Sequence, residues 1–456
     1  MPKEYFNEEK LDVELEVASQ ANDPIYYPQI IGQFAGGSPT DYGNPRLKEI
    51  HVAPGQDIQK ALNALNEAGG GVLRLLAGTH FPTATTDVSS NIRIQGEGIG
   101  ITIIDFGSAA KTLRFRGTLR TIGGTITLTE GSTTVTGRST TLTNAATGDI
   151  LFVASLGFNF AIEISSVTND TELILVDAWP MPNVTGGSSF TIALANENCS
   201  LENLTITNST AAQVQIEEAV NFTASNVLVR KGTVAGIDMT RVIDAQFSNV
   251  LSEYNTGSGW TILNILRTSF FNCEANGNGA NGFLFTGLGD DDSTFYSCTA
   301  DGNTDDGFEL AAGNVRLYGC RAAGNDGNGF FLTGSSAIGC GLFGCIGLDN
   351  ASDGIDVGID ADQTEIVSCF LRNNDAYGIN VANASSDATR IIGNYFETNA
   401  SGEINDSGTG TIIVDYSNGG VGINTSAPNS SLRVDINGAV ATRVSAFTAA
   451  NGANNN

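Results

Sequence analysis

Between Asn203 and about Ile404, the apolar and polar positions of the chain repeat with a fixed period. Each repeat has a small apolar residue, an asparagine five positions later, a glycine nine positions later, and then two apolar residues separated by a variable one. The glycines of the repeat are Gly236, Gly259, Gly282, Gly307, Gly329, Gly354, Gly378 and Gly402. They lie 22 to 25 residues apart by subtraction, and a fixed period of this length is typical of a solenoid.

The triplet after each glycine predicts a β-strand, because its apolar residues alternate at the spacing of a pleated sheet. Phe, Ile, Val and Trp dominate these places and suit a pleated surface. The repeated asparagines predict a hydrogen-bonded ladder along the stack. We expect both the asparagine and the glycine columns to occupy turns with left-handed backbone. The asparagines are Asn255, Asn278, Asn303, Asn325, Asn350 and Asn374.

This pattern resembles the right-handed parallel β-helix of the pectin-lyase-like superfamily, over about residues 49–117 and 198–402. The resemblance implies an all-β fold, in which a single-stranded right-handed parallel β-helix forms the main domain over residues 196–404. It does not by itself imply an activity, because one fold supports many functions.

The N-terminal part of the chain divides into two segments. Residues 1–45 are irregular, and we expect them to act as an attachment arm that orders against a partner. In the next segment, 46–120, the stretch Asp57–Ala68 predicts a helix with one apolar face, and three glycines end it. Helix, strand and a Gly-Thr-aromatic turn together resemble the N-terminal cap of phage tailspikes. The resemblance implies a helix that covers the first rungs of the coil.

The period breaks between residues 121 and 195. Threonine-rich alternating segments separated by turn residues predict a small inserted antiparallel β-domain there. The segment resembles a domain that recurs as an insertion in phage tail proteins. Its aromatic residues Phe158, Phe160 and Trp179 either stack on carbohydrate or pack in the core of the insertion, and core packing is the favoured interpretation.

The C-terminal segment, 405–456, carries a different signal. Gly420–Pro428 leads into Leu432–Val440, and the pair resembles a shaft motif of phage tail fibres and tailspikes. The resemblance implies a trimerisation segment that intertwines with sister chains, since such residues do not bury themselves alone. The implied assembly is a homotrimer on a phage virion.

Cysteines and charge narrow the function further. Five of the seven cysteines share one repeat position, which predicts a buried column of thiols rather than disulfides: Cys273, Cys298, Cys320, Cys345 and Cys369. The formal charge of −27 argues against a nucleic-acid partner, because phosphate binding needs a basic surface. No apolar run is long enough for membrane insertion. We expect no cofactor and no metal, and we interpret Asp290–Asp292 as a solvated turn rather than a calcium site.

The variable residue of each triplet points outward, and this outward column is where chemistry is expected. It runs through Asp238, Thr261, Leu284, Glu309, Phe331, Asp356, Asn380 and Ile404. Glu309 and Asp356 are two rungs apart, so their backbones lie about 9.6 Å from each other. Side-chain flexibility brings the two carboxyls close to the ~6.5–9.5 Å separation of inverting glycosidases. We predict these two carboxylates as catalytic. The predicted substrate-binding residues are Phe331, Asn380, Asp306, Asp353 and Asp238.

Several functions stay open at this point. The simplest alternative is that Asp and Glu face solvent because the whole protein is acidic. The preferred hypothesis is a phage tailspike-like receptor-binding protein that binds a host-surface polysaccharide and, as an endoglycosidase, hydrolyses it. A second is a structural or adhesive virion spike without chemistry. A third is a secreted bacterial polysaccharide lyase or epimerase. Such lyases use Arg or Lys, here limited to Arg230, Lys231 and Arg241, and the Tyr-Gly-x-Asp-Pro-His signature of the epimerases is absent.

Overall fold

The computed structural model describes residues 49–155, 158–187, 190–287, 292–334, 337–415 and 422–425. The predicted attachment arm, most of the predicted shaft segment, and Asp290 with Asp291 lie outside the described residues. Among the described residues, the helical elements are the α-helix Ile58–Glu67 and a 3₁₀ turn, Leu142–Asn144.

The chain winds into a coil in which each turn, or rung, contributes one strand to each of three faces, and neighbouring rungs pair in parallel. Face I is a twelve-stranded sheet, and it carries the repeated triplets. Its strands are Thr86–Val88, Leu113–Arg116, Asn196–Glu197, Val214–Val220, Ile237–Ile243, Trp260–Leu263, Phe283–Phe285, Phe308–Leu310, Phe330–Leu332, Ile355–Val357, Tyr377–Val381 and Gly402–Asp406.

The other two faces form one bent sheet of twenty-two strands. In the later rungs face II contains Ser269–Phe271, Thr294–Tyr296, Arg316–Tyr318, Gly341–Phe343, Glu365–Val367, Arg390–Ile392 and Ile412–Asp415, and Gly422–Thr425 pairs antiparallel with its last strand. Face III contains Glu274–Asn276, Thr299–Asp301, Arg321–Ala323, Ile346–Leu348, Phe370–Arg372 and Tyr395–Glu397. In the earlier rungs the strands are Glu49–Val52, Gly71–Leu75, Gly78–His80, Ile92–Gln95, Thr102–Ala109, Ser200–Ser209, Thr223–Arg230 and Gln246–Glu253.

The predicted parallel β-helix is therefore confirmed. Its core is a set of stacked inward columns, and Phe283 and Phe308 lie face to face with ring centroids 4.8 Å apart. On face II the inward rings of Phe270 and Phe295 stack at 4.2 Å. All seven cysteines are buried and none forms a disulfide, which the repeat position predicts for five of them. Close packing of this kind holds neighbouring rungs in register.

The asparagine column forms the predicted ladder, but the backbone explanation for both columns is wrong. None of the repeated asparagines has a positive φ, and among the repeated glycines only Gly402 does. The glycines are needed because the rungs approach closely: a Cβ on Gly307 would lie 2.6 Å from the carbonyl oxygen of Gly329. The asparagines are needed for hydrogen bonding, as Asn303 Nδ2 donates to Asn325 Oδ1 at 3.0 Å.

The α-helix lies where its sequence pattern places it. Asp57 caps its first turn, and its side chain accepts hydrogen bonds from the backbone N–H groups of Gln59 and Lys60. The buried side chains Ile58, Ala61, Leu62 and Leu65 belong to the same hydrophobic core as the coil. The helix therefore covers apolar surface that the first rungs would otherwise expose.

The chain leaves the coil after Gly117 and returns at Asn196. The insertion is an eight-stranded antiparallel sheet with its own core. Trp179 is fully buried there and meets Phe160 edge to face at 5.3 Å, so these two rings pack in the core as favoured. The side chain of Phe158 is outside the described part. The strands are Thr118–Leu119, Thr125–Leu128, Thr134–Arg138, Ile150–Ser155, Phe158–Asn169, Glu172–Leu175, Val184–Gly187 and Phe190–Leu194.

Candidate functional site

The outward column of face I holds the predicted catalytic pair on alternate rungs. Glu309 is paired with Phe331, and Phe331 with Asp356, so the ring lies between the two carboxylates as the sequence pattern predicts. Asp356 is followed by Asn380. The prediction for the next rung is wrong: Ile404 pairs with Ile379, and Asn405 takes the outward position after Asn380. Tyr377, rather than Gly378, pairs with Gly402, which shifts this last rung by one residue.

Glu309 is half-buried and has a fixed orientation. Nδ2 of Asn281, on the rung before, donates a hydrogen bond to Oε2 of Glu309 at 2.7 Å. Burial raises the pKa of Glu309, while the Asn281 hydrogen bond acts in the opposite direction and favours the carboxylate form. The side chain is therefore held as an acceptor that faces solvent on one side.

Asp356 lies in an environment that disfavours its ionised form. Burial raises its pKa to about 7, and the nearby carboxyls of Asp353 and Asp306 add to the effect. Its Oδ1 is buried and has no hydrogen-bond partner among the described residues. A carboxyl with a pKa of about 7 is about half protonated at neutral pH, and the protonated form can donate its proton to an oxygen placed against it.

A second ladder lies directly beneath this column, at the position just before each repeated glycine. Oδ1 of Asn281 accepts the backbone N–H of Asp306 at 3.0 Å, and Oδ1 of Asp306 accepts that of Asn328 at 2.6 Å. Oδ1 of Asn328 then accepts the N–H of Asp353 at 3.0 Å, and Oδ1 of Asp353 accepts that of Tyr377 at 2.6 Å. Asparagine and aspartate alternate along the coil and bind each rung to the next.

Two of the predicted substrate-binding residues belong to this ladder. Asp306 and Asp353 are each only 5% exposed, and the Oδ1 atom of each accepts a backbone N–H group of the next rung, so little of either side chain is presented at the surface. Burial raises the pKa of Asp306 to about 7, with smaller contributions from Asp305 and Glu309. Burial also raises the pKa of Asp353. These buried acids in turn raise the pKa of Asp356.

Of the other predicted binding residues, Asn380 lies next to the carboxylates and Asp238 lies apart from them. Asn380 lies on the rung after Asp356, donates to Oδ2 of Asp353 at 3.0 Å, and accepts a hydrogen bond from Nδ2 of Asn405 at 2.9 Å. Asp238 is three rungs before Glu309 in the same column, about 14 Å away, so it does not join the cluster.

The sequence interpretation missed Asn281, Asn328 and Asn405. The first two stand just before Gly282 and Gly329, and the alternation with Asp306 and Asp353 was visible in the repeat. Their importance depends on side chains reaching the backbone of the adjacent rung, which the alternation of residues along one strand does not reveal. Asn405 was hidden by the one-residue shift of the last rung.

Cations are scarce on this part of the surface. From Trp260 to Asp406, the described strands of face I contain no Lys, Arg or His. Of the cations considered for a lyase, Arg241 is bound to the buried Glu218 and Arg230 lies 4.0 Å from Glu253.

Within the described ranges no group of three His, Cys, Asp or Glu side chains could hold a metal ion. No helix among the described residues is long and apolar enough to cross a membrane.

Residues 191–342 match a family model described as the right-handed beta helix region, which covers a third of the chain. No protein in the curated set matches the chain. Solved structures show the same architecture. The A-module of a mannuronan C-5 epimerase from Azotobacter vinelandii is 17% identical, with a TM-score of 0.52 over 78% of this chain and 94% of that chain.

Two further solved structures share the architecture at lower scores. The tailspike of Acinetobacter baumannii bacteriophage AP22, in complex with A. baumannii capsular saccharide, is 12% identical, with a TM-score of 0.46 over 79% of this chain and 68% of that one. The catalytic domain of a GH87 alpha-1,3-glucanase, in complex with tetrasaccharides, is 11% identical, with a TM-score of 0.48 over 82% and 68%. The family model and the epimerase A-module support a right-handed parallel β-helix for this chain, and such a fold does not by itself define an activity.

Proposed function

We propose that this chain is a receptor-binding spike of a phage tail, which binds a host-surface polysaccharide along face I and hydrolyses it as an endoglycosidase. The observation that carries the proposal is the outward row Glu309, Phe331 and Asp356, in which two partly buried carboxyls of raised pKa flank an aromatic ring. A polysaccharide is a repeating ligand, and a column of repeated rungs is a matching surface.

The two carboxyls have different environments, and this difference assigns their roles. Asp356 acts as the general acid, because its pKa of about 7 leaves about half of the molecules with a protonated Asp356 at neutral pH. Glu309 acts as the base that activates water, because Asn281 favours its ionised form. Their spacing of two rungs leaves room for a water molecule, and so predicts an inverting reaction. Phe331 offers a sugar a stacking surface between them.

Assembly is also part of the proposal. The resemblance of Gly420–Val440 to a tail-fibre shaft motif supports a homotrimer, and residues 1–45 would bind other phage tail or baseplate proteins. Localisation on the virion, after synthesis in the host cytoplasm, follows from the same resemblance.

A binding spike without chemistry is the second function that an observation favours. Beyond Asp356 the column continues with the amides of Asn380 and Asn405, which can bind sugar hydroxyls and cannot transfer protons at neutral pH. A lyase or an epimerase is less compatible with face I, because the described strands there from Trp260 onward have no Arg or Lys to serve as base.

The test is incubation of the full chain with host capsule or O-antigen, followed by mass analysis of the products. We expect new reducing ends from the wild type, and rates lowered about 10²–10⁴-fold by Asp356→Asn and by Glu309→Gln. The control is Glu397→Gln, which changes an exposed carboxylate on face III and keeps full activity. Unsaturated products would indicate a lyase, and tight binding without product would leave an adhesive spike.

A further inference from the structure

Face II carries an uninterrupted outward column of aromatic and aliphatic side chains, here called the aromatic stripe. It contains the third residue of seven consecutive face II strands: Phe271, Tyr296, Tyr318, Phe343, Val367, Ile392 and Val414. The stripe is straight and follows the axis of the coil for about 29 Å, which is six steps of ~4.8 Å. Contiguous apolar side chains at a surface are a common feature of interaction sites.

The four rings of the stripe stack on one another. Phe271 and Tyr296, Tyr296 and Tyr318, and Tyr318 and Phe343 each have centroids 5.1 Å apart, with interplanar angles of 6, 11 and 15°. Internal stacking covers the ring faces that a sugar would use and leaves the ring edges toward solvent. Tyr296 is still 38% exposed, and the other three rings are half-buried. The geometry therefore suits a flat apolar protein surface better than a glycan.

The charges around the stripe favour another copy of the same chain. The other outward column of face II contains one carboxylate, Glu365, and it is paired with Arg390 at 3.0 Å. Arg316 is the second arginine of that column. Two copies of a chain with charge −27 repel each other, and the repulsion is least where carboxylates are few. Face I, with its carboxylate cluster, is the less favourable surface for such an approach.

Symmetry supports the same occupant. A straight column parallel to the coil axis can lie along a rotation axis, so that each rung meets the same rung of the other copies. Stripes on the outside of such an assembly would stay exposed to water over seven rungs. A position at the axis buries every one of them in a single contact.

We propose that the aromatic stripe is the surface on which copies of this chain associate, with the stripes packed against one another around an axis parallel to the coil. The inference rests on the self-association within the proposed function and adds the surface that carries it. It leaves face I directed outward and accessible to polysaccharide.

The test is sedimentation velocity of the full chain over a range of concentrations, for the wild type and for the double variant Tyr296→Glu with Tyr318→Glu. We expect the wild type to be oligomeric and the double variant to dissociate with a constant raised about 100-fold or more, since buried aromatics dominate interfaces. The matched control is Tyr395→Glu on face III. That ring is 57% exposed and stacked on Phe370 at 5.1 Å, so the change is the same in kind. We expect it to leave the oligomer intact.

A double serine variant at Tyr296 and Tyr318 provides a milder test should the glutamates prevent folding, which circular dichroism would show. Hydroxyl-radical labelling of the wild type adds a readout without substitution, with Tyr296 expected to be protected in the oligomer and Tyr395 labelled. An oligomer that both folded stripe variants leave unchanged would overturn the inferred surface and spare the proposed homotrimer. A monomeric wild type would overturn both, while polysaccharide binding on face I would still be judged by its own assay. Protection of Tyr296 by polysaccharide alone would identify a glycan surface instead and overturn the inference.

Discussion

Face I has inward and outward columns of side chains on its two sides, and every strand contributes to both kinds. In Phe308–Leu310 the two end residues are fully buried, and Glu309 between them is half-buried. The inward column repeats one kind of residue, since Phe283, Phe308 and Phe330 stack with centroids 4.8 and 5.2 Å apart. The outward column changes at every rung over the same distance.

The difference shows where the coil tolerates change. An inward side chain must match the shape of its neighbours on the rungs before and after it, so the same kind of residue recurs at that position of each repeat. An outward side chain has solvent on one side and few such constraints. Departures from the repeat are therefore informative on the outward column, and Glu309 and Asp356 introduce two ionisable groups on alternate rungs.

The largest effect is expected from the inward column. Phe308→Ala removes a fully buried ring that stacks on Phe283 and Phe330, and we expect a loss of about 3–5 kcal/mol in the free energy of unfolding. Phe331→Ala, one rung away on the outward column, is the matched control. Its ring is half-buried, so we expect a clearly smaller loss together with weaker polysaccharide binding. Denaturant unfolding measures both, and equal losses would contradict the contrast between the columns.

A smaller effect separates the buried asparagine ladder from an exposed one. Oδ1 of Asn325 accepts from both the backbone and the side chain of Asn303 at 3.0 Å, and its Nδ2 donates to Asn350 at 2.9 Å. Asn325→Ala leaves these buried partners unsatisfied, and we expect a loss of about 2–3 kcal/mol in denaturant unfolding.

The exposed comparison for this prediction is Asn226, which donates to Asn203 at 3.1 Å and accepts from Asn249 at 3.2 Å at the surface. Its φ is 52°, so glycine is the substitution that removes the side chain without backbone strain. We expect Asn226→Gly to cost less than about 1 kcal/mol, because water replaces its partners. A cost equal to that of Asn325→Ala would show that the ladder stabilises the coil independently of burial.

Much of this organisation could be predicted from the sequence. The period and its alternation were enough for the parallel coil, the buried cysteines, the asparagine ladder and the order Glu309, Phe331, Asp356. The reason for the glycine column was not available, because close approach between rungs depends on how far apart their backbones lie. The sequence pattern placed Ile404 in the outward column because it aligned Gly402 with Gly378. The hydrogen bonds instead pair Gly402 with Tyr377, which places Asn405 in the outward position.

The burial of Asp306 was beyond sequence reasoning for a related cause. Its position before a glycine indicates a turn, where acidic residues are ordinarily exposed. The side chain is buried because it belongs to the ladder formed with the neighbouring rungs. Burial raises its pKa to about 7 in the folded protein, against about 3.9 for an aspartate in an unfolded chain. The folded state thus holds a proton that the unfolded state has lost. Stability from this group is complete below pH 4 and is lost as the pH rises through 7.

Asp306→Asn tests this buried acid directly. Asparagine keeps the oxygen that accepts the N–H of Asn328, as Asn281 and Asn328 do elsewhere in the ladder, and it cannot ionise. We expect the variant to be more stable than the wild type at pH 8 by about 1 kcal/mol, with the difference shrinking as the pH falls to 5, because protonated Asp306 resembles asparagine. Thermal unfolding across this range measures it, with Glu397→Gln as the exposed control. A variant that is less stable than the wild type at pH 8 would mean that the Asp306 carboxylate is favoured where it lies, and would contradict the raised pKa of Asp306.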